Sequence, residues 1–120
     1  MSNQGWIGVD LDGTLAHYES WSGDPLAIGE PIPRMVKRVK EWLKAEKPVR
    51  IFTARTSPEA VNLNSVSKET IELSIVAWCV KHIGQAMPIT YKKDPFMIEL
   101  WDDRVVQVVP NTGERVDGKL

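Results

Sequence analysis

Asp10 and Asp12 stand two residues apart, after an apolar run at 6–9 and before Gly13 and Thr14. In extended backbone, residues two apart project to the same side, so these carboxylates would share one space and repel each other. A cation beside them is the simple remedy, and hard oxygen ligands favour Mg²⁺ over zinc. Gly13 permits a tight turn and a close backbone approach to a ligand, while Thr14 adds a hydroxyl and an amide. Asp-Gly alone is a common turn dipeptide, so the pair gains weight only from what accompanies it. Thr53, Ala54 and Arg55 leave a second apolar run and would offer a hydroxyl and a guanidinium to a phosphate. Lys92 and Lys93 leave a third, and Asp102, Asp103 and Arg104 leave a fourth. Two adjacent acids emerging from a buried run need a cation close by. A carboxylate nucleophile, a threonine, a lysine and an acidic pair at one edge suit phosphoryl transfer. Mg²⁺ and lysine would neutralise the phosphate oxygens and let an anion approach phosphorus.

The elements that must carry these residues can be read from the hydrophobic pattern. Five short apolar runs, at 6–9, 49–53, 88–91, 97–101 and 105–109, read as strands. Between the first two, Met35, Val36, Val39, Trp42 and Leu43 recur at helical spacing, with Pro33 near the first turn and Pro48 beyond the end. A polar stretch from Ser57 leads into a second helix, on which Ile71, Ile75, Cys79 and Ile83 fall four apart and Gly84 supplies the stop. Alternating strands and helices predict a three-layer α/β fold of Rossmann type, with a mostly parallel five-stranded sheet covered on both faces. Ligands in such sheets sit outside the carboxyl ends of the strands, where the polar residues above fall. Residues 16–33, rich in Gly and Pro, read as a long loop or small hairpin able to act as a flap. Residues 110–120 read as a turn and a polar tail.

Composition narrows the setting. The 120 residues suit one domain spanning 1–120, and 42% hydrophobic residues can build its core without staples. Fifteen basic against sixteen acidic residues leave a net charge of -1, so no global field drives the chain onto nucleic acid or membrane. Cys79 is the one cysteine, which excludes an intrachain disulfide and suits a reducing cytoplasm. No apolar run approaches a membrane span, and residues 1–5 lack the features of a signal peptide. Trp6, Trp42, Trp78 and Trp101 fall in expected core elements. Tyr18 and Trp21 fall in the flap, and His17 lies close enough to the first acids to touch a substrate. His82, near a helix end, reads as a favourable C-terminal charge.

Asp10-Leu11-Asp12-Gly13-Thr14, Thr53, Lys93 and Asp102-Asp103, in that order, resemble the four signature motifs of the haloacid dehalogenase superfamily of phosphohydrolases. The resemblance runs from Trp6 to about Val109, and its first motif is the specific one. It implies that Asp10 attacks phosphorus to form an aspartyl-phosphate. Asp12 would protonate the leaving oxygen and then activate water, its backbone carbonyl binding Mg²⁺. Thr53 and Lys93 would hold the phosphoryl oxygens, helped by the amides of Leu11 and Asp12. Asp103 is favoured as the direct metal ligand with Asp102 in support, although the pair can be reversed, and Lys92 is the fallback for Lys93. Narrower likenesses join Thr53-Ala54-Arg55 and residues 102–109 to the phosphatase domain of polynucleotide kinases, and the acidic pair to the soluble deoxyribonucleotidases. They imply a phosphorylated small molecule, such as a nucleotide, or a nucleic-acid end as substrate. This chain has no sizeable cap, so selectivity would fall to the flap or to a second copy covering the open site.

The rival from another class is a phosphoacceptor signalling module of the receiver type, which also uses Asp, Thr, Lys and an acidic pair. A receiver carries its acidic pair after the first strand and its acceptor mid-chain, the reverse of the order here. Asp12 would also hasten loss of the phosphoryl group and spoil a lasting signal. A non-catalytic relative that binds a nucleotide or a protein is the third reading, since fold alone never establishes turnover.

Overall fold

The computed structural model describes residues 5–120. Residues 1–4, most of the polar start read above as lacking signal-peptide features, lie outside the described residues. The chain forms β1 (Trp6–Asp10), α1 (Pro33–Lys44), β2 (Val49–Phe52), a single 3₁₀ turn (Ala54–Thr56), α2 (Pro58–Asn64), α3 (Lys68–His82), β3 (Ile89–Thr90) and β4 (Met97–Trp101). The sheet is parallel in the order β3-β2-β1-β4. No helix is long and apolar enough to cross a membrane among the described residues.

Local chemistry explains the element ends. Pro33 opens α1, where its missing N–H is no loss. The polar stretch after Ser57 is itself a short helix, so one expected helix is two. The Ser57 hydroxyl accepts from the Ala60 N–H at 3.2 Å and starts α2. Ser65 then turns left-handed at φ 55, and the Ser67 hydroxyl accepts from the Thr70 N–H at 3.2 Å to start α3. Gly84, at φ 104, ends α3 with its N–H on the Cys79 carbonyl at 3.0 Å.

The sheet differs from expectation in two ways. Among the described residues it has four strands, because residues 105–109 do not join it. Their valines favour extended backbone, but they pair only with their own return segment, Val108 bridging Arg115 and the Val109 N–H reaching Glu114 at 2.7 Å. They stay exposed. The three-layer expectation is also corrected. Every buried residue of α1 and α3 belongs to the cluster built on Ile7, Val9, Val49 and Ile51, so both helices cover one face. Stepping from β1 to β2 to β3 in one direction with right-handed crossovers puts both helices on that side. The connection to β4, residues 91–96, is too short for a crossover helix.

That connection instead returns over the second face. Trp6, Gly8, Arg50 and Phe52 alternate away from the helical core. The Asp94 carboxylate accepts from Trp6 Nε1 at 2.9 Å and from Arg50 Nη1 at 3.3 Å, and Arg50 stacks 4.5 Å above the Trp6 ring. Trp6 in turn lies over Gly8, where an added Cβ would stand 3.1 Å from its ring. A flat indole thus seals this face, and only 2% of Trp6 is exposed. Trp6→Ala should lower the unfolding free energy by about 3–5 kcal/mol in urea titrations; a loss below about 1 kcal/mol would contradict the sealing role.

Candidate functional site

Asp10 ends β1 on the row begun by Trp6 and Gly8, at the carboxyl edge of the sheet. β4, paired in parallel beside β1, delivers Asp102 and Asp103 to the same edge. One carboxylate oxygen from each of Asp10, Asp102 and Asp103 lies within 4.8 Å of the other two. Sequence positions about ninety apart thus supply one acidic cluster. Gly13 makes room for it: at φ +90 its absent Cβ would sit 2.5 Å from Asp103 Oδ2. The glycine of the first motif and the acid of the last therefore occupy interlocking space.

Crowding shows in the protonation of Asp10. Its pKa is pushed up to about 8, first by burial, then by the charge of Asp102, a hydrogen bond with Asp103 and the charges of Asp103 and Asp12. Thr14 Oγ1 donates to Asp10 Oδ2 at a long 3.4 Å. An acidic cluster that cannot stay ionised unaided is what a hard divalent cation fits, since oxygen donors in this number suit Mg²⁺.

The other expected residues divide. Asp12 is not one of the three grouped acids, its carboxylate gripped by Arg55 through Nε to Oδ2 at 2.7 Å and Nη2 to Oδ1 at 2.9 Å. Arg55 is therefore engaged with protein rather than presented to a phosphate. Thr53 is buried, with its hydroxyl accepting from the Arg55 N–H at 3.1 Å as the cap of the 3₁₀ turn. The Gly13 N–H is used by Ala16 at 2.8 Å and the Thr14 N–H reaches Leu11 at 3.4 Å, both closing the turn. Leu11 is buried in the core, so its side chain meets no ligand. Lys92 and Lys93 are exposed at the start of the connection to β4, with the Lys92 ammonium 5.8 Å from the centre of the Tyr91 ring. Cys79 is inert: burial pushes its thiol up to about 12.

Asp10, Asp12, Thr53, Ala54, Arg55 and Asp102 line a cavity of about 330 Å³. Neither Lys92 nor Lys93 lines it. Its remaining walls were not all legible in the sequence. Tyr18 and Trp21 arrive on the flap, Phe52 ends β2, Tyr91 follows β3 and Arg104 follows the acidic pair. Tyr91 leaves a strand at the same edge as Thr53, a signal that could have marked it. The flap is closed at its base as a small antiparallel pair, Ala16 bridging Pro31 and the His17 N–H reaching Glu30 at 2.7 Å. From α3, Trp78 Nε1 donates to the Gly29 carbonyl at 2.9 Å and fixes the flap's return. Trp21, 48% exposed, lines the cavity. His17 pairs with Glu19 at 3.6 Å and faces a second cavity of about 210 Å³ beneath the flap.

No protein-family model and no curated protein matches the chain. A solved structure described as the conserved protein coded by locus from Bacteroides thetaiotaomicron superimposes with a TM-score of 0.56 at 20% identity, covering 91% of this chain and 84% of that one. The likeness defines an α/β fold with a parallel sheet, compatible with the Rossmann-like class, and bears on fold alone.

The raised pKa of Asp10 has a measurable consequence. The folded state holds this proton up to about pH 8, whereas an unfolded aspartate releases it near pH 4. Between those values the native state binds more protons, so the Asp10 contribution to stability falls as pH rises. In EDTA, the Tm of Asp10→Asn should therefore gain on that of the wild type from about pH 4 to about pH 8. A Tm difference independent of pH would contradict the crowding.

Proposed function

We propose that this chain is a Mg²⁺-dependent phosphatase of the haloacid dehalogenase type, hydrolysing phosphate monoesters through an aspartyl-phosphate. The observation that carries the reading is the meeting of Asp10 with Asp102 and Asp103 around Gly13 at the carboxyl edge of a parallel sheet. Asp10, Asp102 and Asp103 would hold the ion, joined by the Asp12 carbonyl if the resemblance carries over. When bound, Mg²⁺ supplies the positive charge that keeps Asp10 ionised at neutral pH and offsets charge on the phosphoryl group.

The chain's own groups then have distinct tasks. An Asp10 oxygen attacks phosphorus as the bond to the ester oxygen breaks, and that oxygen takes a proton from Asp12. Water next attacks the same phosphorus and gives a proton to Asp12, releasing phosphate and restoring the Asp10 carboxylate. Arg104, on the cavity wall and held at its backbone by the Asp102 carboxylate at 2.8 Å, is a ready cation for phosphoryl oxygens. Lys93 would have to swing inward from an exposed position to share that task.

The aromatic walls favour a nucleotide or a nucleic-acid end. Tyr18, Trp21, Phe52 and Tyr91 offer planar faces beside the acids, and bases stack on such faces without sequence preference. The order of the acids and the presence of Asp12 favour turnover over a stored signal.

Nucleoside monophosphates, phosphorylated oligonucleotides and sugar phosphates should be assayed with and without Mg²⁺. Hydrolysis of at least one nucleotide substrate is expected, abolished by EDTA and reduced at least about a thousandfold in folded Asp10→Asn. Undiminished hydrolysis by that variant would reject Asp10 as nucleophile, and a phosphoenzyme lasting hours without turnover would favour the receiver reading.

A further inference from the structure

Arg55 makes more directed side-chain hydrogen bonds than any other described side chain around the cavity, and they join the Asp12 carboxylate to the middle of the flap. Its Nε and Nη2 grip both oxygens of Asp12, at 2.7 and 2.9 Å. Its Nη1 donates to the Pro25 carbonyl at 2.9 Å, and Nη2 donates also to the Ala27 carbonyl at 2.8 Å. Both carbonyls belong to the flap. The side chain is only 9% exposed, so the guanidinium itself is largely withdrawn from water, although its bond to Ala27 lies at the surface. Its backbone is fixed as well, by the Thr53 hydroxyl at 3.1 Å.

Flap and carboxylate are thus acceptors of a single rigid guanidinium. Moving the flap outward removes two of its acceptors, and turning Asp12 toward a substrate removes the other two. A planar fork cannot follow both partners in different directions. We infer that Arg55 is a positioning residue that latches the flap at residues 25–27 to Asp12, so that flap movement and the orientation of the proton-donating carboxylate are one event. This inference rests on the proposed function for the role of Asp12, but the latch itself is a mechanical property of the chain. It also gives the short flap a task beyond covering the site: a substrate that displaces the Trp21 segment would change what holds Asp12.

Two readouts test it. Asp12 protonates the leaving oxygen, which an alkyl phosphate requires and p-nitrophenyl phosphate scarcely does. Arg55→Ala and Arg55→Lys should therefore lower kcat/KM, which reports the step in which the leaving group departs and not the later attack of water, about a hundredfold on an alkyl phosphate and less than about threefold on p-nitrophenyl phosphate. Arg55→Lys keeps the charge but not the fork, so it should not rescue. Equal losses on both substrates would mean a merely structural role and overturn the inference. The second readout needs no activity. By hydrogen exchange at the amides of His17, Ala27 and Ile32, Arg55→Ala and Asp12→Ala should each speed flap opening at least about fivefold, and the double variant should add little. Unchanged flap exchange in Arg55→Ala, or fully multiplicative effects in the double variant, would overturn the latch. A wild type that hydrolyses no phosphate ester would reject the phosphatase reading, and the exchange measurements alone would then decide the latch.

Discussion

Carboxylates repel, and this fold forces three of them together. Asp10, Asp102 and Asp103 bring oxygens within 4.8 Å of one another at the end of β1, and burial with this crowding makes Asp10 hold its proton up to about pH 8. The crowding is built into the backbone: β4 lies against β1 in parallel register, and Gly13 yields the space that the Asp103 carboxylate fills. The arrangement costs the protein stability as pH rises, and a bound cation would relieve it. Arg55, on the same cavity wall, is committed to Asp12.

The one-sided helical layer shapes what surrounds that cluster. With α1 and α3 on the Ile7 and Val9 face, the opposite face is closed by Trp6, Arg50 and the chain crossing at Asp94. Asp10 and Phe52 lie at the end of that thinly covered face, so the cavity opens beside it and is walled by single side chains rather than by a helix. Flap aromatics and the ends of β2 and β3 do the enclosing. Strand ends hold the acids, while the flap and the strand-end loops hold the surfaces that would read a substrate.

Much of this was legible in the sequence because short apolar runs with polar ends have few other meanings. Strands β1, β2 and β4, helix α1 and the meeting of the first and last acids followed from that pattern. The valines at 105–109 misled, since β-branched residues report extended backbone but not whether a sheet edge is reached. The missing second helical layer was encoded in the brevity of residues 91–96, a length that the strand pattern alone does not draw attention to. Arg55 read as a phosphate ligand because a strand-end arginine has that chemistry. Its actual partners lie about thirty and forty residues away, on Pro25, Ala27 and Asp12, and such pairing is set only by tertiary placement. Lys93 carries the same lesson in reverse, its spacing being suitable and its side chain exposed away from the cavity lining.

Divalent-ion binding tests the central claim most directly, because it asks about the acidic cluster without presuming a substrate. Electron paramagnetic resonance of Mn²⁺ titrated into the protein counts free ion, and competition with Mg²⁺ identifies a shared site. One Mn²⁺ per chain, displaced by Mg²⁺ and lost together in Asp10→Asn and Asp103→Asn, is the result this account predicts. Binding that persists unchanged in both variants, or no binding at millimolar ion, would contradict it.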